Sequence, residues 1–113
     1  MNIIDSYRFG LIVVNGRKYT SDVVIFPDNV DNWTRKTGHQ LCLGDVAKVI
    51  TESPEVLVVG SGASGLMRAL PEVRQVVVTQ GVKFIVEATD KACHIYNQFC
   101  RSRRAVAALH ITC

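Results

Sequence analysis

The feature that most constrains the fold of this chain is an uninterrupted apolar run, Val56-Leu57-Val58-Val59, followed directly by the glycine-rich segment 60–65 (GSGASG). A strand with one exposed face alternates apolar and polar residues, whereas a strand that is covered on both faces is apolar throughout. The run therefore predicts a strand in the interior of a sheet. The glycines predict a turn where that strand ends.

A second apolar run, residues 84–86 (FIV), predicts a parallel neighbour for this strand. Between the two runs, Pro71 suits the first turn of a helix, the following valines have helical spacing, and Gly81 suits a C-terminal cap. The alternative is a strand over residues 76–79 that ends in a hairpin turn. We favour the helix, because a strand–helix–strand unit makes the two apolar runs parallel neighbours.

The first quarter of the chain has the pattern of short strands. Asn15-Gly16 is a strong hairpin signal between two such segments. We predict strands over residues 9–14, 17–20 and 23–26. Residues 28–40 (DNVDNWTRKTGHQ) are polar and follow neither the helical nor the strand period, so we predict a loop that carries one large apolar residue, Trp33. Long loops in compact domains are often functional.

Two further helices and a final strand complete the pattern. Asp45 is a plausible N-cap for a helix that ends at Ser53-Pro54, and Thr89 is a plausible N-cap for the last helix. The apolar stripe of that last helix consists of Ala92, Cys93, Tyr96, Phe99 and Cys100. Residues 105–112 predict a final strand. No internal repeat or linker interrupts the pattern, so we expect one α/β domain over residues 1–113.

The composition fits one small soluble domain. With 113 residues, of which 48% are hydrophobic and 20% charged, the chain is long and apolar enough for a single core. No apolar stretch approaches the roughly 18 residues that a membrane span needs. The N-terminus, MNIIDSYRFG, lacks the pattern of a secretory signal. We therefore expect a cytoplasmic protein with no membrane interaction.

Charge and cysteine content argue against several classes of partner. The net charge is +3, and the main basic cluster, Arg101, Arg103 and Arg104, follows a predicted helix end, where the helix dipole accounts for it. We expect no nucleic-acid partner. Cys42, Cys93, Cys100 and Cys113 form no C-x-x-C pair, so we expect reduced thiols, with Cys93 and Cys100 in packing roles. Neither Cys93-His94 nor His110-x-x-Cys113 places its side chains on one face, so we expect no metal and no cofactor.

Residues 60–65 also spell G-x-G-x-x-G, and Glu87 stands at the end of the next predicted strand. This is the outline of a dinucleotide fingerprint. In a true fingerprint the helix begins within the glycines, whereas here it is predicted to begin at Pro71. The chain is also short for two nucleotide-binding halves. We expect a structural turn, and two alternatives stay open: a turn that binds a small anion or polar ligand, and a dinucleotide site.

A hydrolase is a further alternative at the same turn. Ser61 and Ser64 lie on the glycine segment, and His39 or His110 would supply a base. The pattern is not G-x-S-x-G, however, and the sequence does not show that a serine meets a histidine.

Several stretches match one family in order and spacing along the whole chain. They are Phe9-Gly10, Val14-Asn15-Gly16, Asp22-Val23-Val24, Phe26-Pro27, Trp33, Arg35, Gly38-His39, Val58-Val59-Gly60-Ser61-Gly62, Gly81-Val82, Ala92 with Tyr96-Asn97, and residues 103–113 (RRAVAALHITC). On these residues the chain resembles the small α/β domain family of the adipogenesis-associated Mth-type domain protein, a mitochondrial complex I assembly factor and many uncharacterised archaeal and bacterial proteins. Ser61 stands where relatives usually have threonine, and Ala88 where they often have proline.

The resemblance implies a compact three-layer domain with a central mixed sheet, helices on its faces and an N-terminal β-hairpin. It implies no reaction, because no enzymatic activity is settled for the family. Since its eukaryotic members act in assembly or regulation, the implied function is a non-enzymatic partner-binding or assembly module. Its partner would be another protein or a second copy of the chain.

The alternative function is a small-anion or polar-ligand site where the glycine turn, the Trp33 loop and the C-terminal strand converge. Its candidate residues are Trp33, Arg35, His39, Ser61, Gly62, Ser64 and His110. The turn residues would supply amides and hydroxyls, Arg35 a positive charge and His110 a titratable donor. Each also has a structural explanation: Trp33 as a core anchor, Arg35 as a solvated charge and His110 as a buried, hydrogen-bonded histidine.

Overall fold

A computed structural model describes residues 1–36 and 38–112 of the chain. Thr37, which falls in the predicted loop, and Cys113, which was considered with His110 for a metal site, lie outside the described residues. The elements in chain order are β1 (Ile4–Arg8), β2 (Leu11–Val14), β3 (Arg17–Tyr19), β4 (Val23–Ile25), β5 (Val30–Asn32), β6 (Gln40–Leu41), α1 (Leu43–Thr51), β7 (Val56–Ser61), β8 (Arg68–Ala69), α2 (Pro71–Thr79), β9 (Lys83–Glu87), α3 (Thr89–Phe99) and β10 (Ala105–His110).

A mixed five-stranded sheet forms the centre of the molecule, in the order β5-β4-β10-β7-β9. Strands β10, β7 and β9 are parallel, whereas β4 pairs antiparallel with both β10 and β5. All six residues of β7 are buried, as the apolar run predicts for an interior strand. The predicted helix between the two parallel strands is confirmed as α2, which begins at Pro71.

The central sheet is covered on both faces, which gives three layers. Helices α1 and α2 pack on one face, against side chains such as Leu57 and Val106. Helix α3 and a small N-terminal sheet pack on the other face, against side chains such as Val58 and Ala107. Successive residues of a strand point to opposite faces, so an apolar run fills both cores at once. The predicted three-layer α/β architecture is confirmed.

The N-terminal sheet has the order β1-β2-β3 and is antiparallel. Asn15 and Gly16 have φ values of 51° and 77°, the left-handed pair that a tight two-residue hairpin requires, so the predicted hairpin is confirmed. Strand β1 adds a third strand that the residue pattern does not reveal. Asn97 of α3 fixes it by hydrogen bonds with both the amide and the carbonyl of Ile4, at 3.0 and 2.8 Å.

The prediction of a loop over residues 28–40 is wrong in part. Strand β5 lies within this segment and pairs with β4, and β6 begins at its end. Strand β5 has the sequence Val-Asp-Asn, which is too short and too polar to show a period. Its strand geometry comes from the backbone hydrogen bonds to β4, which the side-chain pattern does not record.

The predicted N-caps of two helices are also corrected. Helix α1 begins at Leu43 with Cys42 as its N-cap, and the carboxylate of Asp45 reaches back to accept from the Cys42 amide at 2.8 Å. Asp45 therefore stabilises the helix start from within the first turn. Helix α3 has Ala88 as its N-cap, and Thr89 is its first residue. The predicted strand over residues 9–14 begins only at Leu11, since Gly10 turns the chain with φ of 75°.

Candidate functional site

The carboxyl ends of β10, β7 and β9 form one edge of the central sheet. The chain leaves β7 through α2 on one face and reaches β10 through α3 on the other face. A crevice at such a reversal is the usual ligand-binding place in α/β sheets. Three segments meet at this edge, namely residues 9–10, 62–67 and 110–112, and we call them the edge platform.

Main-chain hydrogen bonds tie the edge platform together. The amide of Gly10 donates to the Ile111 carbonyl and the amide of Ala63 donates to the Thr112 carbonyl, both at 2.8 Å. The amide of Met67 donates to the carbonyl of Ser61 at 3.0 Å and closes the glycine turn. Backbone groups that are satisfied in this way hold a loop in one conformation. The three segments therefore behave as one surface.

Thr89 supports the platform from below. Its hydroxyl accepts from the amide of Gly62 at 2.9 Å and donates to the carbonyl of His110 at 2.6 Å. A Cβ on Gly60 would lie only 2.7 Å from this hydroxyl oxygen, so the first glycine of the motif leaves space for Thr89. The glycines thus serve close packing and chain reversal.

A dinucleotide site of the fingerprint type needs the backbone amides of a helix that begins within the glycines. Here helix α2 begins only at Pro71, so its first amides do not lie in the glycine turn.

A buried polar cluster lies beneath the platform on the face covered by α1 and α2. One carboxylate oxygen of Asp22 accepts from Arg35 Nη2 at 3.0 Å, and the other accepts from the Ile111 amide at 2.9 Å. Nδ1 of His110 lies 2.7 Å from Arg35 Nη2 and 2.9 Å from Asp22 Oδ2. Arg35 also donates to the Gly38 carbonyl and contacts the sulfur of Met67, at 2.9 and 3.2 Å.

The electrostatics of this cluster favour an ionised Asp22. Burial alone would raise the pKa of Asp22. The Ile111 amide and the His110 and Arg35 side chains outweigh burial and lower the pKa below its ordinary value of 3.8. The cluster therefore holds a charged pair in the interior and joins the Trp33 loop to the end of β10.

Three of the seven predicted site residues meet in this cluster or next to it. Trp33 is buried in the core, and its indole nitrogen donates to the Asp45 carbonyl at 3.0 Å. The guanidinium of Arg35 lies 5.2 Å from the centre of the Trp33 ring. The expectation of a solvated Arg35 is wrong, since its side chain is 6% exposed in an ion pair with Asp22. His110 is buried and hydrogen-bonded, as its structural explanation requires.

The glycine-turn residues are placed differently. Ser61 is the register partner of His110 across two parallel strands, so both side chains face the same side of the sheet. Its hydroxyl donates to the Glu87 carbonyl at 3.0 Å, and the Gly62 amide donates to Thr89, so both groups are used by the fold. Ser64 and His39 are exposed. A ligand at these seven residues stays a prediction.

Beside the glycine turn the structure contains a cleft of about 430 Å³. It is lined by Ser61, Gly65, Met67, Arg68, Ala69, Arg74, Val86, Glu87 and Ala88. Arg68 and Arg74 are cationic residues that the sequence analysis missed. Arg68 lies on β8 and Arg74 lies on α2, so they belong to different elements and form no local sequence pattern. The short strand β8, which follows the glycine turn, brings Arg68 to the cleft that Arg74 also lines.

Cys93 and Cys100 serve packing. Cys93 is buried, and burial raises the pKa of its thiol to about 12. Cys100 is half-buried against the same core, as predicted. Within residues 1–36 and 38–112, no group of three or more histidine, cysteine or acidic side chains is arranged to hold a metal ion. No helix in this part of the chain is long and apolar enough to cross a membrane.

Comparison with known proteins gives a family and a fold. The conserved hypothetical protein PH1505 from Pyrococcus horikoshii OT3 is 28% identical with a TM-score of 0.89, over 97% of this chain and 98% of that one. The protein MT938 is 28% identical with a TM-score of 0.83, over the full length of both chains. A Mth938-like domain protein from Bordetella pertussis shares the fold with a TM-score of 0.70 at 22% identity, over 97% of this chain and 85% of that one.

No curated protein matches the sequence. A model of the family described as "Protein of unknown function (DUF498/DUF598)" matches residues 4–111. This match spans almost all of the domain, and the solved structures share its whole architecture. The chain therefore belongs to the DUF498/DUF598 family of proteins of unknown function.

Proposed function

We propose that this protein is a non-enzymatic partner-binding module, with an assembly or regulatory role, and that it contacts its protein partner through the edge platform. The observation that carries the proposal is a pair of exposed apolar side chains at this edge. Phe9 is 62% exposed and Leu66 is 52% exposed. The backbone on which both side chains lie is held by hydrogen bonds. Gly10, which follows Phe9, donates to the Ile111 carbonyl, and Met67, which follows Leu66, donates to the Ser61 carbonyl.

Large exposed apolar side chains with polar residues around them are typical of protein interaction sites. The main-chain hydrogen bonds of the platform also reduce the entropy that a partner's binding must overcome. Arg8 precedes Phe9 in the chain, Arg68 follows Leu66 by two residues, and both arginines are exposed. The favoured partner surface is thus apolar with acidic groups around it.

The polar groups of the edge support binding over catalysis. The hydroxyl of Ser61 and the amide of Gly62, which a nucleophile or an oxyanion site at this turn would need, make hydrogen bonds within the fold.

The described cysteines Cys42, Cys93 and Cys100 are free thiols. A reducing compartment keeps cysteines in this state, which supports our proposal of a cytoplasmic location.

The test compares capture of partners by variants of the edge and by a control. Phe9→Ser with Leu66→Ser removes both apolar side chains, and Val78→Ser removes a side chain that is 53% exposed on α2, away from the edge. We expect wild type and Val78→Ser to retain the same crosslinked protein from a lysate of the source organism. The edge variant should lose it. Equal retention by all three proteins would overturn the proposal.

The second candidate function, binding of a small anion or polar ligand, is favoured by the cleft beside the glycine turn. The guanidinium of Arg35 is sealed beneath the surface with Asp22 and His110, so it supports the loop. The cleft holds two other arginines that solvent reaches. A small ligand of this protein is therefore better sought there.

A further inference from the structure

We infer that the cleft formed by Arg68, Arg74 and the glycine turn is a binding site for a small organic oxyanion, a phosphate monoester or a carboxylate. This inference does not depend on partner binding at Phe9 and Leu66. It rests on the charge, the position and the size of the cleft. Each of these can be read from residues outside the buried Asp22 cluster.

The charge of the cleft is positive and not neutralised by ion pairs. In the described part of the chain, neither Arg68 nor Arg74 forms an ion pair with a carboxylate. Arg74 stacks over the Phe84 ring, with its guanidinium carbon 5.0 Å from the ring centre. Stacking of this kind holds the planar group while leaving its N–H donors free for a ligand. A guanidinium fork is the side chain best suited to bind carboxylate or phosphate.

The position of the cleft is the carboxyl edge of parallel strands. Ser61, the last residue of β7, and Val86, the second-last residue of β9, lie in its wall, and Gly65 of the glycine turn lies beside them. Gly65 has a φ of 68°, so its lack of a side chain lets the turn curl at the mouth of the cleft. Ligands of open α/β sheets bind at this edge.

The size of the cleft and the charges that face it narrow the class of ligand. A cleft of about 430 Å³ is within the range of small-molecule sites and exceeds what an inorganic phosphate fills. Glu87 also lines it, but Val86 faces the core under α1 and α2, so the Glu87 carboxylate points to the α3 side of the sheet, where it lies 3.7 Å from the amine of Lys91. Among the described lining residues, the guanidinium groups of Arg68 and Arg74 are therefore the charged groups that face the cleft, which favours a ligand that carries an oxyanion.

The experiment follows backbone amide signals of isotope-labelled protein during titration with inorganic phosphate, O-phosphoethanolamine and acetate. We expect saturable shifts at Gly65, Arg68 and Ala88. Arg68→Gln and Arg74→Gln should each weaken phosphate binding by about tenfold, the loss typical of a charged hydrogen bond. Arg101→Gln, an exposed arginine beyond the far end of α3, is the matched control and should bind as the wild type does.

Glu87→Gln is a further control, because the Glu87 carboxylate faces Lys91 and not the arginines. We expect O-phosphoethanolamine to bind more tightly than inorganic phosphate, since it fills more of the cleft, and we expect both to bind Glu87→Gln as they bind the wild type. Tighter binding of acetate than of both phosphates would assign the carboxylate class to the same site. No saturable shift in the cleft, or equal binding by the wild type, Arg68→Gln and Arg74→Gln, would overturn the inference. Arg74 lies in α2 and outside the edge platform, so Arg74→Gln should leave capture of a partner through Phe9 and Leu66 unchanged, and the two proposals fail separately.

Discussion

The carboxylate of Asp22 and the guanidinium of Arg35 lie 3.0 Å apart in an ion pair whose side chains are 18% and 6% exposed. Asp22 comes just before β4, and Arg35 belongs to the segment after β5. The pair therefore fixes the Trp33 loop against the end of the sheet. Because His110 contacts both groups, the cluster also joins this loop to β10, directly under the edge platform.

Asp22→Asn should lower the free energy of unfolding by about 3 kcal/mol or more, because it leaves the Arg35 charge buried without its counter-ion. Denaturant unfolding measures the change. The double variant Asp22→Asn with Arg35→Met removes both charges, so its loss should be clearly smaller than the sum of the two single losses. Additive losses would show that the ion pair does not couple these two residues.

The same carboxylate predicts how stability depends on acid. The pKa of Asp22 is lower in the folded protein than its ordinary value of 3.8, so the folded state holds the ionised form more tightly than the unfolded chain does. This contribution is complete above about pH 4 and is lost as the pH falls through the folded pKa. Wild type should therefore lose its advantage over Asp22→Asn below about pH 4. A constant difference in unfolding free energy between about pH 2 and about pH 7 would contradict the assignment.

Gly60→Ala should destabilise the protein by about 1–3 kcal/mol, because the new methyl group has no room. It would lie 2.7 Å from the Thr89 hydroxyl and 2.9 Å from a methyl carbon of Leu109. Gly44→Ala is the matched control, since Gly44 lies in α1 with no neighbour within 4 Å of an added Cβ. That control should leave stability unchanged or raise it by up to about 1 kcal/mol. Thermal unfolding of both variants measures the change in stability. An unchanged stability of Gly60→Ala would contradict the packing role of this glycine.

Cys93 should be the last of the described cysteines to react with an alkylating reagent. Burial raises the pKa of its thiol from the ordinary 9.0 to about 12, so its thiolate fraction near neutral pH falls by about a thousandfold. Cys42 and Cys100 are half-buried and should react first in a Cys113→Ser background. Mass spectrometry of the labelled peptides over time gives the order. Early labelling of Cys93 in folded protein would contradict its place in the core.

Most of the central fold was predictable because its signals are local or strongly periodic. The run Val56-Leu57-Val58-Val59 marks an interior strand, Asn15-Gly16 marks a hairpin, and Pro71 with Gly81 delimits α2. Strands β5, β6 and β8 were not predictable in the same way. They are two or three residues long, which is too short to show a period, and β6 pairs with β8 at a distance of 28 residues in the chain.

From the sequence, the candidate site was predictable only as a list of residues, without the contacts between them. Trp33, Arg35 and His110 were predicted as site residues, but Asp22 was not. The Asp22 carboxylate accepts hydrogen bonds from Arg35 and from the Ile111 amide, which are distant from it in the chain. Arg35 looked solvated because nothing near it in the chain shows its burial. Arg68 and Arg74 carry no motif, since a cleft between separate elements is a property of the folded backbone.

The central claim is that the edge platform with Phe9 and Leu66 is the surface that contacts a protein partner. Amide hydrogen exchange of the protein, free and bound to the partner recovered by capture, tests it most directly. The claim predicts slower exchange at residues 8–10 and 62–68 in the complex, with residues 76–80 at the far end of α2 unchanged. Protection confined to α2, or none at the edge platform, would contradict it.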